Sequence, residues 1–289
     1  MSTSRSAGLL AVYPHITGRD RRLLQLLDDH QVLTTDQIHR MLFRARRTCQ
    51  IRLGELAALG LLDRFRFHRD GGGSLPWHWT LGHLGHRFQA AAHHRPEPTV
   101  RATRQIVHRL SANPHLAHLL IANEFFVRLT AHARHHPGTS LDRWWSETAT
   151  TKQFRTITAD GHGLWSSGDT VVGFFLEADT GTEPLGRVVA KLDRYALLTR
   201  RGGPRYPVLF WLGSEHREEH LHRLLGGEVP CATATHAADP AEAVWLPAGA
   251  TARVRLADLP SDHGQPVADN PTFDDDGVFL VGVQVRVQR

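Results

Sequence analysis

The chain has 289 residues, 41% hydrophobic and 22% charged, a composition that supports one packed core or two and excludes an intrinsically disordered chain. No apolar run reaches the roughly 18 residues of a membrane span, and the first residues lack a basic region followed by a long apolar stretch, so a cytoplasmic protein with no membrane partner is expected. Two cysteines, Cys49 and Cys231, are too few and too far apart for a disulfide framework or a cysteine zinc site.

The net charge of +5 is unevenly placed. Residues 1 to 110 hold 17 Arg, no Lys and 8 acids, net +9, whereas residues 226 to 289 are net −5. A bias toward Arg codons accounts for the scarcity of Lys, present only as Lys152 and Lys191, but not for this asymmetry. A basic surface attracts a polyanion, so double-stranded DNA is the expected partner of the N-terminal third.

In chain order, Leu23, Leu24 and Leu27 form a helical stripe within Arg19 to His30. A second helix begins after Leu33, with Thr34 or Thr35 as its cap and Ile38 and Leu42 on one face. A third carries Cys49, Leu53 and Leu56 on its apolar side, with Arg44, Arg47 and Arg52 falling away from it. Leu62 to Phe67 then alternates as a strand able to pair with Trp77 to Leu81 across the turn Asp70-Gly71-Gly72-Gly73. Three helices and a hairpin predict a winged helix over residues 1–92. In that arrangement Arg46, Arg47 and Arg52, with Arg44 beside them, meet phosphates or base edges, and Arg64, Arg66 and Arg69 on the wing meet the backbone. Trp77 and Trp79 are read as sheet core. The alternative use of such a unit is protein contact, with a solvated basic face.

Pro96 and Pro98 in a polar stretch suggest a linker, opening a second domain over residues 93–225. A helix is predicted from Pro114 to His135, a short segment from Arg143 to Glu147, a loop through Asp160, and a hairpin of Leu164 to Ser167 with Val171 to Asp179. A helix capped by Thr182 then runs to about Thr199, followed by a strand at Pro207 to Leu212 and a helix at Glu215 to Leu225. The order is mixed α/β (α+β). Residues 226–289 read as an acidic extension with short strands at Ala243 to Leu246 and Val278 to Val287 and the triplet Asp274-Asp275-Asp276.

Within the strand ending at Asp179, alternation puts Val172, Phe174, Leu176 and Ala178 on one face and Phe175, Glu177 and Asp179 on the other. Two carboxylates projecting together repel unless an Arg or a cation neutralises them, and a hard, oxygen-ligated Mg²⁺ or Mn²⁺ is the usual solution. Asp160, just before the hairpin, is placed to join them. Histidine is abundant at 21, with helical pairs such as His115 and His118, His132 and His135, and His83 and His86, but in such a number chance pairs are expected and no zinc site is assigned. The run Gly71 to Gly73 lacks the Lys-Ser/Thr of a phosphate-cradling loop.

The segments Ala159-Asp160-Gly161, Phe174 through Glu183, Lys191-Leu192-Asp193-Arg194-Tyr195 and Pro207 through Trp211 resemble the replication-relaxation family of plasmids and integrative elements. That family is similar to relaxases of the mobilisation C class and to the PD-(D/E)xK restriction-endonuclease-like fold. The resemblance implies metal-assisted phosphodiester cleavage, with Asp160, Glu177 and Asp179 as metal ligands, Lys191 as the catalytic cation and Glu124 and Glu147 as further acids. It departs from the nuclease pattern at Asp179, where Lys is expected, and at Ala159, where Pro is expected; Lys191 is the nearby replacement. The implied protein binds the DNA of a mobile element and acts in plasmid replication or DNA relaxation, as a Mg²⁺- or Mn²⁺-dependent nicking endonuclease or relaxase. The alternative is a non-catalytic replication-accessory factor or transcription regulator with a degenerate nuclease domain. Covalent nicking by a tyrosine is the weaker route, since Tyr13, Tyr195 and Tyr206 are the only tyrosines and none adjoins a histidine triad.

Overall fold

A computed structural model describes residues 3–69, 71–267 and 270–274. Its contacts separate into two compact units on either side of Leu116 and Ala117.

The first unit begins with helices α1 (Thr3–Val12) and α2 (Gly18–His30), strand β1 (Leu33–Thr34), and helices α3 (Thr35–Leu42) and α4 (Arg46–Ala58). Strands β2 (Leu62–Phe65) and β3 (His78–Leu81) and helices α5 (His83–Ala92) and α6 (Val100–Ser111) follow. Two capping boxes start the helices: Thr17 with Asp20 opens α2, and Thr34 with Gln37 opens α3, each satisfying two orphan backbone donors. The stripes expected from spacing are buried, with Leu23, Leu24, Leu27, Ile38, Cys49, Leu53 and Leu56 at or near zero exposure; Met41 replaces Leu42 on the inner face of α3. Strand β3 lies between β1 and β2, antiparallel to both, in the register Leu33 to Trp79 and Leu62 to Leu81. Trp79 is core, its indole N–H donating to Thr35 Oγ1 at 2.9 Å. Helix α6 begins within the polar stretch read as a linker and opens at Thr99, whose hydroxyl accepts from the Ala102 N–H.

The second unit holds helix α7 (Leu116–His135), strand β4 (Thr139–Ser146), helix α8 (Glu147–Phe154), and strands β5 (Gly161–Ser167) and β6 (Thr170–Ala178). Helices α9 (Leu185–Ala190) and α10 (Leu192–Arg200), strand β7 (Val208–Leu212), helix α11 (Glu215–His222) and strands β8 (Cys231–Thr235) and β9 (Leu246–Pro247) complete it. Six strands make one mixed sheet in the order β4-β5-β6-β7-β8-β9, with β6, β7 and β8 mutually parallel and the other pairs antiparallel.

The period of two along β6 sorts its side chains between two cores. Val172, Phe174, Leu176 and Ala178 pack with Phe125, Phe126 and Leu129 of α7. Phe175 on the other face packs with Val188, Leu192 and Tyr195 of α9 and α10. The sheet is thus covered on both sides, which its buried parallel strands require.

Two expectations are corrected. The helix expected to open at Thr182 opens at Pro184 and is divided at Lys191 into α9 and α10, so Thr182 caps nothing and Lys191 sits at a junction. The loop expected between Glu147 and Asp160 contains α8. The strand expected at Val278 to Val287, with Asp70, Asp275 and Asp276, lies outside the described residues. Cys49 and Cys231 are both free and buried.

Candidate active site

Parallel strands that feed into helices leave their carboxyl ends open for ligands. Strand β6 ends at Ala178, and Glu177 stands one residue before that end with only 3% of its surface exposed. Its two oxygens have different partners: Tyr195 donates its hydroxyl to Oε1 at 2.6 Å, and Lys191 donates to Oε2 at 2.9 Å. Lys191 also meets Glu183 at 3.2 Å. The division between α9 and α10 therefore delivers its ammonium to the carboxylate that the strand pattern singled out.

Asp160 precedes β5, where its own N–H bonds the Leu176 carbonyl. Its Oδ2 accepts the Ala178 N–H at 2.7 Å and its Oδ1 meets His118 Nε2 of α7 at 2.8 Å. Asp160 is thereby pinned in register opposite Glu177, one position beyond the Gly161–Leu176 pair of β5 and β6. These groups lie close enough to shift one another's proton affinities. Burial pushes Glu177 up to about 7, the charge on Asp160 adds to this, and Lys191 and Tyr195 pull the other way. Burial alone would lower Lys191, but the Glu177 carboxylate overrides it and raises its proton affinity. The bond to Asp160 raises His118, and the more distant charge of Glu147 acts in the same direction. Burial, followed by the charge on Glu177, holds Tyr195 well above the ordinary phenol range.

Beside Glu177 lies a cleft of about 350 Å³ whose lining includes Arg187, Lys191, Arg194 and Tyr195. Arg187, Lys191 and Arg194 outnumber the one carboxylate, Glu177, in this lining. Arg187 and Arg194 escaped the sequence reading, as did His118, which was noted only for its spacing from His115. Tyr195, read as core, is buried as expected, yet its hydroxyl belongs to the site.

Asp179 and Glu124, two of the other expected acids, are bonded to other groups. Asp179 does not share a cation with Glu177: Arg217 of α11 grips both its oxygens and also donates to the Glu183 carbonyl. An arginine thus supplies the neutralisation for which a metal was expected. Glu124 accepts from Arg128 at 2.9 Å, and the same guanidinium donates to the carbonyls of His236 and Ala238. Glu147 is exposed at the start of α8.

The family model described as replication-relaxation matches residues 24–208. The chain belongs to the replication-relaxation family. Membership points to a role in the replication or DNA relaxation of mobile elements. No curated protein and no solved structure matches the chain. The matched span contains Asp160, Glu177 and Lys191 and all seven arginines expected at DNA.

Those arginines divide by environment within this replication-relaxation protein. Arg52 is turned inward, donating to Asp20 at 3.1 and 2.7 Å, to the His15 carbonyl at 2.6 Å and to Glu55 at 2.7 Å. Arg46 pairs with Asp36 at 2.7 Å. Arg64 and Arg66 lie over the ring of Trp77 at 4.2 and 4.5 Å, so a residue expected in the sheet core carries two stacked guanidinium groups. Arg44, Arg47 and Arg69 are exposed.

The carboxylates of Asp160 and Glu177 are hard oxygen donors of the kind Mg²⁺ and Mn²⁺ prefer, and Lys191 is the group that would have to yield its place on Glu177. In donor type the pair suits such an ion, but Asp160, Glu177 and Asp179 do not form a group of three ligands within 4.8 Å of one another. No helix is long and apolar enough to cross a membrane among the described residues.

Proposed function

We propose that the protein binds double-stranded DNA through a winged helix in its first unit and nicks it at the Asp160–Glu177–Lys191 centre of the second, with Mg²⁺ or Mn²⁺ as cofactor. The observation that carries the reading is the meeting of Glu177 with Lys191 beside the pinned Asp160, in a cleft lined by Arg187 and Arg194. These residues come from separate segments, in the order that the nuclease pattern requires. Asp160 and Glu177 would hold the ion, which when bound activates a water and polarises a phosphoryl oxygen. Lys191, Arg187 and Arg194 present positive charge to the phosphodiester as negative charge builds on it. His118 orients Asp160, and Tyr195 fixes one oxygen of Glu177 so that the other faces Lys191. Asp179, tied to Arg217, holds the end of β6 to α11 and is a positioning residue.

In the first unit, the helix-strand-helix-helix-strand-strand order and the exposed Arg44, Arg47, Arg64, Arg66 and Arg69 support the winged-helix reading. Supercoiled plasmid incubated with the protein and Mg²⁺ or Mn²⁺ should give open circles, at a rate that falls about 100-fold or more in Asp160→Asn and Glu177→Gln. Retention of full nicking by both variants would reject the site.

One observation favours a second reading, a replication-accessory protein or regulator with a closed centre. All four oxygens of Asp160 and Glu177 already accept hydrogen bonds, from His118, the Ala178 N–H, Tyr195 and Lys191. Under that reading plasmid topology stays unchanged with every metal, while DNA is still retained with an affinity that falls steeply with salt.

A further inference from the structure

We propose that the carboxyl end of α7 and the loop after β8 form a second metal site, built from His132, His136 and Glu242 with Asp239 in support, for a borderline cation of the Zn²⁺ class. It is independent of the centre at Glu177. The ligand-type atoms of His132, His136 and Glu242 lie within 4.8 Å of one another, the one such group of three among the described residues. The two imidazoles sit one helical turn apart with centroids 3.8 Å apart; their planes are inclined by only 15°, so the exposed His136 ring has to turn out of this stack for both lone pairs to meet one ion.

Their tautomers are set by their neighbours. His136 Nδ1 lies 2.9 Å from the His132 carbonyl, which can only accept, so that nitrogen carries the proton and Nε2 keeps its lone pair. His132 Nδ1 lies 3.1 Å from the Asp239 carboxylate and 3.9 Å from Glu242. A carbonyl or carboxylate behind each imidazole is the arrangement that orients metal-bound histidines and raises their basicity.

The carboxylates are carried on a held loop. Arg128 clamps the carbonyls of His236 and Ala238, Asp239 Oδ1 accepts the Ala241 N–H at 3.0 Å, and the buried indole of Trp245 donates to the Pro240 carbonyl at 2.8 Å. The His132 side chain is only 7% exposed, whereas Glu242 is 55% exposed and has room to swing onto an ion. Two imidazoles and a carboxylate with one position left for water suit tetrahedral Zn²⁺, with Co²⁺ or Ni²⁺ as substitutes, and disfavour Mg²⁺. Bound there, the ion would fasten the β8–β9 connection to α7.

The test is equilibrium dialysis of the full chain against Zn²⁺, with thermal unfolding in parallel and Co²⁺ as a spectroscopic stand-in. His136 and Glu242 are exposed, so His136→Ala and Glu242→Gln leave the packing intact. One tight site is expected, with its affinity reduced at least tenfold in each variant, the visible bands of tetrahedral Co²⁺ lost, and the rise in melting temperature with Zn²⁺ abolished. His216 and His220 of α11, edge to face with centroids 4.1 Å apart, provide an internal control for a helical histidine pair with no third ligand among the described residues. His216→Ala should leave the tight site untouched, as should Asp160→Asn. Affinity unchanged in His136→Ala and Glu242→Gln, or lost equally in His216→Ala, would overturn the proposal.

Discussion

At the scale of single residues, the structure assigns each charge by who stands opposite it. Arg52 and Arg47 lie five residues apart on α4 and look alike in the sequence, but Arg52 neutralises Asp20, a carboxylate that is 1% exposed and also caps α2. Removing the guanidinium strands that buried charge, so Arg52→Ala should cost about 3 kcal/mol in urea unfolding. Arg47→Ala, at an exposed position, should stay within about 0.5 kcal/mol. Under the proposed DNA-binding reading the contrast reverses in kind: Arg47→Ala should reduce the slope of log affinity against log salt by about 1 without touching stability. Equal stability loss in the two variants would contradict the division. The same reasoning separates Glu177 from Asp179. Strand alternation put both on one face and could go no further, because their partners are distant in the chain: Lys191 and Tyr195 for one, Arg217 for the other. His118, 42 positions before Asp160, carries no local signal of its role.

At the scale of elements, what was legible was whatever repeats locally. The apolar stripes of α2, α3 and α4, the threonine that caps α3 and the alternation along β6 are short-range patterns, and they fold as spaced. What was missed either lacks such a pattern or was masked by its neighbours. Helix α6 carries Thr103, Ile106, Val107 and Leu110 at helical spacing, but it follows two prolines that read as a linker. Strand β8, Cys-Ala-Thr-Ala-Thr, has few large apolar side chains and is a strand because β7 and β9 flank it. Helix α5 shows an element whose place is fixed by the absence of side chains. A Cβ on Gly82 would come within 2.4 Å of the Gly60 carbonyl oxygen, and one on Gly85 within 2.1 Å of the Leu61 carbonyl oxygen. These are backbone atoms at the entrance to β2 and cannot step aside. Gly85→Ala should therefore destabilise the first unit by about 2 to 3 kcal/mol, although alanine is the better helix former. Gly54→Ala in α4, where a Cβ meets nothing within 4 Å, should be neutral or stabilising. Paired thermal unfolding of the two variants checks the argument, and loss of stability in both would refute it.

At the scale of the whole molecule, six buried or half-buried histidines spread over both units shape the response to acid. Burial lowers the proton affinity of His30, His78, His86, His162, His236 and His263, in both units, and takes His30 down to about 3, with the charge on Arg22 adding to the effect. The unfolded chain binds a proton at each such position near pH 6.5 while the folded one does not. Stability is therefore full above that pH and declines as pH falls below it, until the folded group also titrates. His118 and Glu177 shift upward and contribute with the opposite sign, each stabilising most at low pH and losing its contribution as pH rises through its folded value, so they offset part of the slope without reversing it. For His30 the window runs from about pH 6.5 down to about 3. Within it this one residue contributes a slope of about 1.4 kcal/mol per pH unit. His30→Gln removes the titration from the end of α2. Between pH 7.5 and pH 5 its urea midpoint should fall by less than that of the parent chain, and a midpoint that follows the parent curve in parallel would show that His30 takes up its proton in the folded state after all.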